Sequence, residues 1–169
     1  MSLPTDTRGA AGGGGDYFKP QKGQNKILIV GPVVTGYEYW TTDGKPVRSK
    51  EVFEEMPNVR MRKKEDGTEE PEKQKFFWAL PVYDYADGKL KVYQINQVNI
   101  REALEGFQKN QDWGDPTGKY SVTITKEGEG LKTAYSVTPN PAKEGDKTIA
   151  AALEAYKADP VDVEGAIFN

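Results

Sequence analysis

The side chains with the most chemical reach in this sequence are aromatic rings interleaved with cations. Tyr37, Tyr39 and Trp40 form one cluster, and Phe76, Phe77, Trp78, Tyr83, Tyr85 and Tyr93 another, with Lys75, Lys89 and Lys91 among them. Rings stack on nucleobases while ammonium groups meet phosphates, so this mixture on an open sheet face suits a single-stranded nucleic acid. Most other chemistry is excluded by composition. The 169 residues include no cysteine and no histidine, which removes disulfides, Cys/His zinc sites, thiol nucleophiles and imidazole bases. Glu54-Glu55 and Glu69-Glu70 lack the Asp-rich spacing of a calcium loop. The glycine run at residues 12–15 is not followed by the Lys-Ser/Thr of a phosphate loop. The expectation is a non-enzymatic protein with no metal and no cofactor.

Alternation assigns the rings to faces. From Lys75 onward the even positions Phe76, Trp78, Leu80 and Val82 are apolar and point inward; the odd positions Lys75, Phe77, Tyr83 and Tyr85 then face outward. The following strand adds Lys89, Lys91 and Tyr93 to that outer face. Two alternatives stay open: the rings roof the barrel beneath helices and loops, since large aromatics are usually at least partly buried, or a bulge at Pro81 swaps the faces beyond it. Arg48 and Lys50 lie beside the first aromatic cluster, in position for phosphate contacts. The basic run Arg60, Arg62, Lys63 and Lys64 either flanks the same groove or pairs with the acids that follow it, Glu65, Asp66, Glu69, Glu70 and Glu72.

The elements that must position these residues can be read in order. Residues 1–16 are glycine-rich and read as a flexible leader. Residues 25–31 and 36–42 read as a pair of strands, with Asp43-Gly44 as a turn. Residues 51–74 are charge-dense and read as a long exposed loop. Residues 75–85 and 89–97, joined by Ala86-Asp87-Gly88, read as a hairpin. Ile100, Ala103, Leu104 and Phe107 sit at i, i+3, i+4, i+7 and predict a helix over 98–109. A second hairpin follows, with Tyr120, Val122 and Ile124 on one strand and Leu131, Thr133, Tyr135 and Val137 on the other. Ile149, Ala152, Leu153 and Tyr156 predict a short amphipathic helix over 147–158. Three strands, a helix and two strands is the order of a five-stranded Greek-key barrel of the oligonucleotide/oligosaccharide-binding (OB) type. The fold expected is thus mainly β: a leader to residue 16, an OB-type domain over 17–142, and a helix with an acidic tail over 143–169.

Net charge is −3, and its distribution says more than its size. Up to residue 142 cations and acids balance, so the excess lies in Glu144, Asp146, Glu154, Asp159, Asp162 and Glu164 against Lys143, Lys147 and Lys157. No apolar run approaches the ~20 residues of a membrane span, and a soluble, intracellular protein is expected.

Five short motifs add a resemblance: Tyr37-Glu38-Tyr39-Trp40-Thr41, Lys45-Pro46-Val47-Arg48-Ser49, Lys75-Phe76-Phe77-Trp78-Ala79, Trp113-Gly114-Asp115-Pro116 and Gly130-Leu131-Lys132-Thr133-Ala134-Tyr135. In this set and order, over residues 17–141, the chain resembles the single-stranded DNA-binding proteins of tailed bacteriophages. The resemblance implies an OB-type fold, sequence-tolerant binding of single-stranded DNA, and a role in phage DNA replication or recombination in the host cell cytoplasm. It also implies that Asp159, Asp162, Glu164, Ile167 and Phe168 form a tail that recruits phage or host replication proteins and competes with DNA. Some such proteins carry a structural zinc, which a chain without Cys or His cannot hold. The rival reading is a phage structural or adaptor protein using the same barrel to bind protein; a sugar-binding barrel is a third.

Overall fold

The computed structural model describes residues 16–168, so the leader expected over 1–16 lies outside the described residues except for Asp16. Ten strands and three α-helices follow in order among the described residues: β1 (Asp16–Phe18), β2 (Gly23–Ile29), β3 (Val34–Trp40), β4 (Pro46–Ser49), β5 (Met61–Lys63), β6 (Glu69–Pro71), β7 (Lys75–Asp84), β8 (Lys89–Ile95), α1 (Val98–Lys109), β9 (Val122–Glu127), β10 (Ala134–Pro139), α2 (Thr148–Ala158) and α3 (Val163–Phe168). Both expected helices are present. Strands dominate. The main sheet is mixed and open, with the order β10-β9-β2-β7-β3-β4, while β8 pairs with β7 and, in parallel, with β1.

The first two expected strands do not pair with each other. They lie end to end along one edge of β7, with β2 opposite Val82–Asp84 and β3 opposite Lys75–Ala79. Between them, residues 30–33 lie opposite only Leu80 and Pro81, so the excess chain bulges. The ladder bends there because Pro81 has no N–H to offer, although its carbonyl still accepts from the Val30 amide at 3.1 Å. Alternation along β7 continues through the bend. Trp78, Leu80 and Val82 face the main core, where Ile100 and Leu104 of α1 meet Ile27, Ile29, Tyr93, Ile95, Val122 and Ile124. Burying each of those two helix side chains contributes about 1.5–3 kcal/mol.

The opposite, outer face of the sheet is covered as well. Phe77, Ala79 and Val92 pack under Val163 and Ile167 of α3, with Phe168 against them. Leu28, Val30, Tyr83, Tyr85 and Leu90 pack under Ala152, Leu153 and Tyr156 of α2. Residues 148–168 are therefore part of the packed fold.

Two loops also differ from expectation. Residues 51–74 contain the small antiparallel pair β5–β6, along which Arg60 pairs with Glu72, and Arg62 and Lys64 with Glu70. Three of the four cations of this basic run thus pair with the acids that follow it. In the last hairpin the strand begins only at Ala134; Leu131 sits fully exposed in a single 3-10 turn, Gly130–Lys132.

Candidate nucleic-acid interface

Register decides which side chains share a face. Asp84 pairs with Lys89 across a four-residue connection, so Val82 lies opposite Lys91 and Leu80 opposite Tyr93. Cross-strand neighbours then have opposite parity, and the expected outer set comes apart. Tyr93 points inward, 1% exposed, edge-on to Phe18 at 4.8 Å. Burial pushes its phenol well above the ordinary range, and the hydroxyl finds no partner among the described residues. Lys91 also turns to the inner side, where its ammonium donates to Asp84 at 2.8 Å and to Asp87 at 2.6 Å. Burial pulls that ammonium down, but the two carboxylates outweigh it and leave Lys91 above its ordinary value. Lys91 is thus no free phosphate partner.

Phe77 faces outward as expected but is wholly buried beneath α3, with its ring 6.2 Å from that of Phe168. A side chain on Gly36 would meet Phe77 at 2.7 Å, the Ser49 carbonyl at 2.9 Å and Phe168 at 3.0 Å. Only glycine lets the two rings close over β3. Tyr83 and Tyr85 are half-buried beneath α2, edge-on to each other at 5.2 Å. Tyr39 is buried against Phe53, with its hydroxyl donating to the Pro57 carbonyl at 3.1 Å. None of Phe77, Tyr39 and Tyr93 offers a face to a base in this structure. The roofing alternative describes Phe77, Tyr83 and Tyr85.

The expected tail folds the same way. Asp162 accepts from the Gly165 amide at 3.0 Å and caps α3. Val163 and Ile167 are buried, Phe168 is half-buried, and Asp159 stays exposed. Glu164 pairs with Lys50 at 2.8 Å, and the Lys50 ammonium also lies 5.9 Å from the Phe168 ring centre. Ile167 and Phe168 thus pack against the protein's own sheet, Phe168 with part of its ring still exposed.

What remains accessible gathers at the β3–β4–β7 end of the sheet. Trp40, Arg48, Lys50 and Lys75 lie on the outer face, Trp40 with the Arg60 guanidinium 5.4 Å from its ring. On the other face Tyr37 packs on Phe76 at 5.4 Å, and Arg101 of α1 lies 5.0 Å over Phe76. Phe76, 37% exposed, was expected inside; it sits on the core face but beyond the end of the core. Lys89 is exposed near the other end of β7.

The polar centre of the outer face is Glu38, 4% exposed. Its carboxylate accepts from Arg48 Nε at 2.8 Å, Gln94 Nε2 at 2.9 Å and Asn96 Nδ2 at 3.1 Å. Arg48 Nη1 also reaches the Ile167 carbonyl at 3.4 Å. Arg48 is thus a fixed group with its charge already matched. Sequence reasoning passed over Glu38, Gln94, Asn96 and Arg101. The available signal was period two: Glu38 between two inward tyrosines, and Gln94 and Asn96 two apart after Val92.

Comparison with known proteins bears on what such a surface meets. The chain is similar to the probable ssDNA-binding protein of Escherichia phage T5. The alignment covers 150 residues at 25% identity and takes in 78% of this chain. It takes in 58% of the relative, so this chain spans little more than half the length of the protein it matches. That is the class of protein its short motifs resemble. No family model matches the chain, and no solved structure matches it at a significant level. Among the described residues no helix is long and apolar enough to cross a membrane.

Proposed function

We propose that this protein binds single-stranded DNA with little sequence dependence, as a non-enzymatic component of phage DNA replication or recombination in the host cytoplasm. The observation that carries this reading is the similarity, across 78% of the chain, to a phage protein named for ssDNA binding. The architecture is consistent with it. If β2 and β3 count as one bent strand, the order β8-β7-(β2/β3)-β9-β10, with α1 between β8 and β9 in sequence, matches the strand order of an OB barrel, and α1 packs on both β10 and β8, the two strands such a barrel would join. In such a barrel the strand would cross the β3–β4–β7 end. Trp40, Tyr37 and Phe76 are the rings left to stack, and Lys50, Lys75 and Arg101 the cations left for phosphates. Lys89 would serve an extended path.

The test is fluorescence anisotropy of a labelled oligo-dT titrated with protein at several salt concentrations, beside a duplex control. Saturable binding is expected, with the logarithm of affinity falling with the logarithm of salt by roughly 0.7 per phosphate neutralised. A slope near zero, or equal affinity for duplex, refutes the proposal; an adaptor protein would show no binding at all.

A further inference from the structure

The cluster around Glu38 is more elaborate than an ion pair requires. A buried carboxylate costs several kcal/mol unless its charge and lone pairs are met, and Arg48 alone supplies the charge. Two amides are nevertheless brought in, Gln94 from β8 and Asn96 just past its end. Because a carboxylate only accepts, both Gln94 and Asn96 must turn their nitrogens toward it. The Asn96 oxygen accepts from Gln94 at 3.0 Å. The Gln94 oxygen has no partner among the described residues, and the Arg48 guanidinium has donors beyond the two it uses.

These groups do not lie beneath a packed layer. Glu38, Arg48, Gln94 and Asn96 line a cleft of about 420 Å³, with Trp40 in its wall and Lys19 at its rim. The far wall is β1, tied down by its parallel pairing to β8 and by the Tyr17 hydroxyl, which donates to the Ala166 carbonyl at 2.6 Å. The volume lies within the range of small-molecule sites. An aromatic plane beside fixed donors and an acceptor, with a lysine at the entrance, has the chemistry of a nucleotide site: the ring for the base plane, the amide and guanidinium for its polar edge, the lysine for its phosphate.

We propose that this cleft receives one nucleobase of a bound single strand, stacked on Trp40 with its hydrogen-bonding edge against Gln94, Asn96 and Arg48, which Glu38 holds in place. Glu38, buried and holding Arg48, Gln94 and Asn96, is the positioning residue. The proposal rests on the single-strand reading and adds to it a point of contact that distinguishes bases within otherwise sequence-tolerant binding. A fixed donor and acceptor pair meets each base edge differently, whereas stacking alone does not.

Two measurements test it. In the first, wild-type protein is irradiated with an oligo-dT carrying 5-iododeoxyuridine, and the crosslinked peptide is mapped by mass spectrometry; an adduct at Trp40 is expected. In the second, affinities for dT, dC and dA oligomers of equal length are compared for wild type, Gln94→Leu and Asn96→Leu. The wild type is expected to rank them over at least about fivefold, and the variants to compress that ranking while keeping the salt dependence. Crosslinking only elsewhere, or equal affinities in the wild type, overturns the base site while leaving strand binding intact. Failure of the wild type to bind any single strand overturns the parent reading, and this one with it. The crosslink decides the matter even if either variant does not fold.

Discussion

Replacing Phe77 and Phe76 separately distinguishes the two faces of β7. Phe77 is wholly buried between the sheet and α3, against Ala79, Val92, Val163 and Ile167. Truncating a buried phenylalanine costs about 3–5 kcal/mol, because the transfer energy is lost and a cavity remains. In a domain of this size each kcal/mol lowers Tm by about 2–4 °C, so Phe77→Ala should melt about 6–20 °C below wild type. Kept below that transition, it should still bind oligo-dT. Phe76 is 37% exposed and touches only Tyr37 and Arg101 among the aromatic and cationic contacts described. Phe76→Ala should lose much less stability and, if its ring stacks on a base, about 1–3 kcal/mol of strand binding. That corresponds to a fall of about 5–150-fold in affinity. Thermal melting by tryptophan fluorescence and anisotropy with oligo-dT measure both quantities on the same samples. If Phe77→Ala melts like wild type but loses strand binding, α3 does not cover the outer face and the Phe77 ring is open to a base.

Glu164→Gln removes the partner of Lys50 in an exposed ion pair worth under about 1 kcal/mol; strand affinity should rise less than about fivefold, most at low salt where screening is weak. No change at any salt concentration would remove Lys50 from the phosphate contacts. Deleting residues 159–169 should instead destabilise the protein, since it uncovers Phe77, Ala79 and Val92 and removes Val163 and Ile167, each worth about 1.5–3 kcal/mol; a truncated protein with unchanged Tm would refute the packing of α3. The Lys91 hydrogen bond holds the Asp87 carboxyl below its ordinary 3.8. A depressed carboxyl stabilises the fold above its unfolded-state value and loses that contribution as pH falls through its folded value. Lys91→Met should therefore raise the Asp87 titration midpoint, measured by NMR, toward 3.8 and flatten the acid limb of the stability curve; an unchanged midpoint would refute the clasp.

Local pattern was enough for the elements that depend on local pattern. The spacing of Ile100, Ala103, Leu104 and Phe107 defines α1 to the residue, and Ile149, Ala152 and Tyr156 place α2 within one residue of its start, because an amphipathic period of 3.6 is written in the chain itself. The even positions of β7 from Trp78 to Val82 belong to the core for the same reason, with period two. The absence of Cys and His excludes thiol and imidazole chemistry from the sequence alone, and five short motifs resemble the class of protein to which the phage T5 relative belongs.

Everything that depends on what lies opposite a residue was decided only by tertiary structure. Four residues instead of three in the connection from β7 to β8 change the cross-strand parity, which moves Lys91 and Tyr93 to the inner face without altering either strand's own pattern. Phe77 does point outward, yet alternation cannot say that a helix some ninety residues later returns to cover it. The acids and apolar pair near the end of the sequence look like a free tail because their partners, Lys50, Phe77 and Gly36, are about ninety or more residues away. Glu38 looks like a surface acid until Arg48 from β4, Gln94 from β8 and Asn96 just past its end converge on it. Periodicity records which way a side chain leaves its own backbone; burial, pairing and the shape of a cleft are properties of the neighbours, and those are chosen when the strands assemble.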